Sequence, residues 1–458
     1  MVAGCLGIAA SALSGFTNGH ASPNGCVAPN GTASASCFGF DRLDSTAHLQ
    51  AALDSNATTL IIDALGEPWV TQPLFVRRPN LTVVLAAPVH ARRGYFHGNS
   101  DTLLSFGHFG SESHCDGSRL LGAGGHLKMW RADYDNASAY VHSEHRHGVQ
   151  FVGCRDIEVA GVAIQETGGD GIYLRDVTAA RLVRSSIHGA YRNGVSIISG
   201  HQLLLEDLEI VDVNGTAPRS GVDLEPNQPE DTLANITMRR VRVARVGGCG
   251  IEVKHAWAHN LSAPVPVGVV IDSCSVSGAD RTGLAVAPVA RGAQGTVAVT
   301  NMTIEDCRCA GLVVGSKAVE SARLSLENVS LVNTSYGCDP SLAISYGSAP
   351  IYLGVHHVTG VGKQRWAQGQ LFGNAFFGGG VHVGSSTRPL PEGAQAFLAA
   401  SQELPDTGAD HGPPTDPAIF DRVAGTVSVH TRDRAACTPS LGKTGVKVEA
   451  TAVCNVVS

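Results

Sequence analysis

Two short stretches carry the densest set of residues able to do chemistry. Gly221-Val-Asp-Leu-Glu holds Asp223 and Glu225, and Gly250-Ile-Glu-Val-Lys holds Glu252 and Lys254. Each places two ionisable side chains two positions apart, which puts them on one face of an extended strand. Upstream, Asp170, Arg192 and Asn193 lie just before strand-like segments that contain Tyr173 and Ser196. Carboxyl groups crowded together cannot all ionise freely, so at least one is expected to keep its proton near neutral pH, as a general acid must. An acid paired with a carboxylate is what hydrolysis of a glycosidic bond needs. A separation of about 5 to 5.5 Å suits retention of configuration and about 6.5 to 9.5 Å suits inversion. Residues two apart on one strand are about 6.7 Å apart, which brings Asp223 and Glu225 nearer the second case.

On this reading two of Asp223, Glu225 and Glu252 are catalytic, Asp170 is a further candidate, and Tyr173, Arg192, Asn193, Ser196 and Lys254 bind sugar. No cofactor or metal is then expected. The same residues allow an alternative in which Asp223, Glu225 and Glu252 hold calcium, since that ion takes several carboxylate oxygens. Lys254 or Arg192 would then remove the proton beside a uronic carboxylate, giving a polysaccharide lyase or a uronan epimerase. A third reading is a non-catalytic glycan-binding or adhesive protein, because acids beside bases on a strand face are often surface ion pairs of little consequence. Against it stands the confinement of the acids to two segments: the matching positions after Gly283 and Gly311 are Ala285, Ala287, Val313 and Gly315.

What must position these residues is a repeat. A glycine followed by alternating apolar residues recurs at Gly148, Gly171, Gly194, Gly221, Gly250, Gly283 and Gly311, in steps of 23, 23, 27, 29, 33 and 28 residues. A second period-two segment follows each one, as in Asp156-Ile-Glu-Val-Ala and Leu203-Leu-Leu-Glu-Asp-Leu-Glu-Ile. Leucine-rich repeats have similar periods but require an asparagine-anchored leucine spacing that is missing here. The pattern predicts an all-β chain wound as one parallel β-helix, a solenoid in which each coil contacts only its neighbours. With glycines in register, Gln150, Tyr173, Ser196, Asp223, Glu252, Ala285 and Val313 fall in one outward column, and Val152, Arg175, Ile198, Glu225 and Lys254 in the next.

Asp44-Ser45-Thr46 ahead of Leu49, Ala52 and Leu53 predicts a short capping helix over the open end of the solenoid. Leu60-Ile-Ile-Asp, Leu74-Phe-Val and Leu81-Thr-Val-Val-Leu read as the first strands. The chain divides into a signal peptide over 1–21, a disulfide-containing segment over 22–40, the β-helix over 41–384, a Pro/Gly/Ser-rich linker over 385–420 and closing strands over 421–458. Surface loops are expected around Asn260 to Val267 and Arg291 to Gly295, where coils are longest, and a turn at Thr167-Gly-Gly-Asp-Gly. Asn214-Gly-Thr-Ala-Pro-Arg is the loop feeding the acidic coil. Cys274 and Cys307 are 33 residues apart, the same as Gly250 and Gly283, so they are expected level with one another in neighbouring coils. His142, His145 and His147 are expected as surface histidines on a coil edge rather than metal ligands.

Of 458 residues 54 are glycine, an excess that suits a chain with many turns. The net charge of −7 excludes a nucleic-acid binder that relies on a basic surface, and leaves neutral or cationic partners open. The apolar start is too short to span a bilayer. Ten Asn-x-Ser/Thr sequons and twelve cysteines favour a secreted, glycosylated chain, with local disulfides for Cys26 with Cys37 and Cys437 with Cys454. Cys307-Arg-Cys309 has the wrong spacing for a zinc knuckle. A monomer acting on a polysaccharide or oligosaccharide is expected.

The opening from Asp44-Ser-Thr through the early strands resembles that of pectate-lyase-superfamily β-helices. Gly168 to Leu174, Tyr191 to Gly200 and Asn214 to Asn227 resemble a tract found in several right-handed β-helix proteins. The resemblance covers roughly residues 40 to 340 and implies a right-handed parallel β-helix with a carbohydrate substrate. The polygalacturonase branch of that superfamily carries Asp-Asp, Gly-His-Gly and Arg-Ile-Lys motifs. This chain has none of them, so no catalytic residue carries over from that branch.

Overall fold

The glycine repeat corresponds to a ladder of ten parallel strands. In this computed structural model the described residues are 25–107, 115–228, 230–254, 265–289, 293–308, 311–316 and 323–332, with strand segments at 342–346, 351–361, 375–378, 381–383 and 428–429. The ladder begins at Leu74–Val76 and Leu104–Phe106 and continues through Val149–Val152, Ile172–Arg175, Val195–Ile197, Val222–Leu224, Ile251–Val253, Leu284–Val289 and Leu312–Ser316 to Leu342–Tyr346. Its register stacks Gln150, Tyr173, Ser196, Asp223, Glu252, Ala285 and Val313, as the aligned glycines require.

Packing explains why glycine recurs. A Cβ on Gly194 would lie 2.3 Å from Ile210 Cγ2 and 2.5 Å from the Gly221 carbonyl oxygen; on Gly221 it would lie 2.3 Å from Val243 Cγ1 and 2.6 Å from the Gly250 oxygen. At this point the chain passes between a β-branched side chain of its own coil and the backbone of the next. Inside, Phe106 stacks on Phe151 at 4.4 Å between ring centres, and Leu174, Ile197, Leu224, Val253 and Val286 continue the apolar column, all buried.

Two further ladders close each coil. One runs from Thr32–Ser34 through Thr59–Ile62, Thr82–Leu85, Arg119–Gly122, Arg155–Ala160, Val177–Val183, Gly200–Glu206 and Leu233–Arg239 to Val265–Asp272. The other starts at Trp69–Thr71 and includes His126–Lys128, Ala163–Gln165, Ser186–His188, Glu209–Val213, Arg242–Val246 and Ser275–Ala279. Ala293–Glu305 pairs with both, so the corner between them straightens there. The helix Thr46–Leu53 buries Leu49, Ala52 and Leu53 against the first coils.

Several expectations are corrected. Within the Asp44-Ser45-Thr46 triplet it is Asp44 Oδ1 that accepts the Thr46 N–H, at 3.1 Å, while the Ser45 hydroxyl donates to the Asp41 carbonyl at 2.7 Å. Thr167-Gly-Gly-Asp-Gly is not a simple turn, because Gly168–Gly169 pairs antiparallel with His145–Arg146. Of the loops expected around Asn260 to Val267 and Arg291 to Gly295, residues 260–264 and 291–292 lie outside the described residues, while Val265 to Val267 and Ala293 to Gly295 pair as strands. Cys274 and Cys307 are not level: Ser275 pairs with Thr303, an offset of 28 residues, because the 33-residue step belongs to the preceding pair of coils. Both are free and buried, as is Cys249. Cys26 and Cys37 are bonded as expected, and a second disulfide, Cys115–Cys154, joins neighbouring coils. Segment 1–21, the linker 385–420 and the pair Cys437 and Cys454 lie outside the described residues. No helix among the described residues is long and apolar enough to cross a membrane.

Candidate active site

The residues just before Gly148, Gly171, Gly194 and Gly221 form a buried polar column: His147, Asp170, Asn193 and Ser220. Each side chain accepts the backbone N–H of the next member. Asp170 N–H donates to His147 Nδ1 at 3.1 Å, Asn193 N–H to Asp170 Oδ1 at 3.0 Å, and Ser220 N–H to Asn193 Oδ1 at 2.8 Å. A hydrogen bond that would otherwise fall to a loop backbone is made by a side chain, and this fixes the strand entries that carry the acids. Accepting that bond leaves Nδ1 of His147 bare; burial holds its pKa well below the usual histidine range, so the ring is neutral and stacks on Tyr173 at 4.6 Å.

Beside this column the acids converge on two cations. Lys254 Nζ lies 3.6 Å from Asp223 Oδ1, 3.1 Å from Glu225 Oε1 and 3.2 Å from Glu252 Oε2. Arg192 reaches Asp170 at 3.2 Å, Glu225 at 3.4 Å and Glu144 at 3.2 Å. Glu225 joins the two clusters. Asn193 Nδ2 donates to Asp223 Oδ2 at 3.1 Å and to Ser196 Oγ at 3.0 Å, and Ser220 Oγ donates to Glu252 Oε2 at 3.0 Å. Every residue proposed from sequence except Tyr173 is thus linked by a hydrogen bond or ion pair to another, and Tyr173 is tied in through His147.

The acids differ in access. Asp223 and Asp170 have no exposed surface, whereas the Glu225 and Glu252 side chains are 23% and 12% exposed. Burial pushes the Asp223 carboxyl up to about 8, against the pull of Lys254 and with the push of Glu225 and Glu252. Asp223 Oδ1 is buried without a hydrogen-bond partner. Burial also raises Asp170 to about 6 despite Arg192. Lys254 and Arg192 are desolvated, but their surrounding carboxylates win and hold both well above their ordinary values. The surrounding carboxylates thus favour the charged form of both. The ammonium of Lys254 also stands between Asp223, Glu225 and Glu252, where an ion bridging them would sit, so these residues do not fit the calcium alternative. No group of three or more His, Cys, Asp or Glu among the described residues is arranged to hold a metal.

Three contributors escaped the sequence reading. Glu144 pairs with Arg192 from across the corner, His147 is buried rather than a surface histidine, and Ser220 orients Glu252. His147 and Ser220 could have been found by reading the residue before each glycine as a column; Glu144 lies outside the repeat and left no periodic signal. The 214–219 loop meets the segment before the site, with Arg131 Nη1 donating to the Asn214 carbonyl at 2.9 Å and His142 Nε2 beside Thr216 Oγ1 at 3.2 Å.

A family model described as a right-handed β-helix region matches residues 135–262, a span that contains every residue of this cluster. Among solved structures, the A-module of Azotobacter vinelandii mannuronan C-5 epimerase AlgE6 is similar over 77% of this chain and 93% of that one, at 15% identity and a TM-score of 0.53. The A-module of AlgE4 from the same organism covers 77% and 95%, at 13% identity and a TM-score of 0.52. A family 28 exopolygalacturonase of Yersinia enterocolitica covers 78% and 75%, at 12% identity and a TM-score of 0.51. No curated protein matches the chain significantly. The architecture is therefore that of a right-handed parallel β-helix with a polar cluster on one ladder.

Proposed function

We propose that the protein is a glycoside hydrolase acting on a polysaccharide, with Asp223, Glu225 and Glu252 as its working carboxyl groups. The observation that carries this reading is geometric: buried Asp223 and the accessible Glu225 and Glu252 meet at the Lys254 ammonium, at 3.6, 3.1 and 3.2 Å. Asp223 is the proton donor in this reading, since burial pushes its carboxyl up to about 8; its Oδ1 is buried against Lys254 Nζ at 3.6 Å, so a bound sugar must reach it past Glu225 and Glu252. Glu225 or Glu252 then serves as base, activating water against the sugar carbon. Lys254 and Arg192 fix the carboxylates and bind sugar hydroxyls. The lyase or epimerase reading is weaker because it needs Lys254 or Arg192 unprotonated, while their neighbours favour the charged form. That two structurally similar proteins are a mannuronan epimerase and an exopolygalacturonase supports a saccharide ligand. Two disulfides support an oxidising, extracellular setting.

The test is a digest of neutral, amino and uronate glycans by the full chain, with Glu225→Gln and Glu252→Gln beside it. New reducing ends without unsaturated-uronate absorbance, lost in at least one variant, are expected. Unsaturated products would point to a lyase. Binding without turnover, unchanged by either substitution, would leave a glycan-binding solenoid.

A further inference from the structure

Seventeen asparagines occur in the chain, and ten of them open an Asn-x-Ser/Thr sequon. Serine and threonine together are 64 of 458 residues, so chance spacing would give about two. The fold does not supply the excess. Asn80, Asn235 and Asn301 have a positive φ, which asparagine tolerates better than most residues, but that preference says nothing about the residue two positions on. Among the described residues thirteen other non-glycine positions share this backbone conformation, and a hydroxyl stands two residues on in three of them, at Thr178, Ser186 and Ser275. All three asparagines have one, at Thr82, Thr237 and Thr303. The hydroxyl goes with the asparagine and not with the turn.

Placement agrees with this pattern. Seven sequon asparagines lie among the described residues, Asn30, Asn56, Asn80, Asn136, Asn214, Asn235 and Asn301, and all seven are exposed. None of the ten is in a strand of the ladder that carries the acids. Asn30 and Asn136 are held through their carbonyl oxygens, by the Thr32 N–H at 3.1 Å and the Ser138 hydroxyl at 2.6 Å, not through the amide nitrogen that a glycan takes. Asn301 Nδ2 donates to Asp272 Oδ1 at 3.1 Å, and a glycosylated amide keeps one N–H with which to do so. Asn136 follows the short helix that starts at Arg131, whose Nη1 donates to the Asn214 carbonyl at 2.9 Å, so these two asparagines stand on neighbouring loops at one edge of the site. The disulfides Cys26–Cys37 and Cys115–Cys154 suit the oxidising compartment in which N-glycans are added.

We propose that these seven asparagines carry N-linked glycans, which coat the outside of the solenoid and one edge of the site and leave the acid-bearing ladder open to a polymer. The donor is an oligosaccharide linked through a diphosphate to a lipid. Nδ2 attacks its anomeric carbon: a C–N bond forms, the C–O bond to the diphosphate breaks, lipid diphosphate leaves, and the amide gives up one proton to a base of the transferase. The assignment does not depend on the reaction proposed above, since a lyase or a binding protein with this surface would carry the same glycans.

The experiment takes the full chain purified from the cells that make it, measures its intact mass, releases N-glycans with a peptide N-glycosidase in heavy-oxygen water, and maps the labelled aspartates so formed by peptide mass spectrometry. The intact mass should exceed that of the polypeptide and fall on release, with label at more than half of the seven asparagines. Asn99 and Asn227, exposed but outside any sequon, report spontaneous deamidation and should stay unlabelled. An intact mass equal to that of the polypeptide, no loss of mass on release, or label at fewer than half of the seven overturns the proposal. Label at Asn99 or Asn227 as strong as at the seven would trace the signal to deamidation and overturn it as well.

Discussion

Asp223 offers the sharpest test of the electrostatics, because its predicted effect has a sign and a window. Burial raises its carboxyl to about 8 in the folded chain, while an unfolded aspartate titrates near about 3.9. A group whose folded pKa is raised favours the folded state below the unfolded value and loses that contribution as pH climbs toward the folded one. Between about pH 5 and pH 7 the folded protein keeps a proton that the unfolded chain has released, at about 1.4 kcal/mol per pH unit, or about 3 kcal/mol across the window. Asp223→Asn removes the titration and leaves an oxygen for Asn193 Nδ2, which donates to Asp223 Oδ2 at 3.1 Å. Subtracting the variant's pH dependence from the wild type's isolates the Asp223 titration together with its coupling to Lys254, Glu225 and Glu252. For a cooperative unit of about 300 residues with about 2.1 cal/mol/K of unfolding entropy each, 3 kcal/mol is a Tm difference of about 5 °C. Thermal melts followed by circular dichroism at the two pH values should show the wild type losing about 5 °C more than Asp223→Asn between them. If the two proteins shift in parallel, Asp223 is ionised in the folded chain and its role as proton donor goes with it.

Two other substitutions probe the frame around the site. Arg192→Met leaves buried Asp170 without its cation and should cost about 3 kcal/mol near neutral pH, read by chemical denaturation; adding Asp170→Asn should recover most of that. Recovery by less than half would mean that Arg192 acts mainly through Glu144 and Glu225. Gly194→Ala forces a Cβ against the Gly221 carbonyl oxygen and Ile210, and should destabilise the coil by more than about 2 kcal/mol, whereas Gly66→Ala, with open space around it but a φ of +85°, should cost about 1 kcal/mol. Equal costs would show that the glycine column is not set by packing between coils.

Much of this architecture was legible because a solenoid writes its geometry into the chain. The glycine spacing gave the stacking register directly: a Cβ at those positions collides with the next coil, so the sequence must repeat wherever the backbone does. Alternation gave the inward and outward faces, and so the column that brings Ser196, Asp223 and Glu252 together across 57 residues of chain. The pairing of Cys115 with Cys154 was not legible, since any two cysteines on neighbouring coils satisfy spacing alone.

Tertiary structure alone decided which of the acids are buried and who their partners are. Sequence placed Asp223, Glu225 and Glu252 on an outward face, but Asp223 is fully buried there, as is Asp170, which is held by Arg192 and the Asn193 N–H. Desolvation depends on what covers a group from elsewhere in the chain, and the resulting protonation cannot be read from local pattern. The same holds for Lys254, whose three carboxylates come from three different sequence positions on two coils and turn a surface-like lysine into a fixed charge at the centre of the cluster.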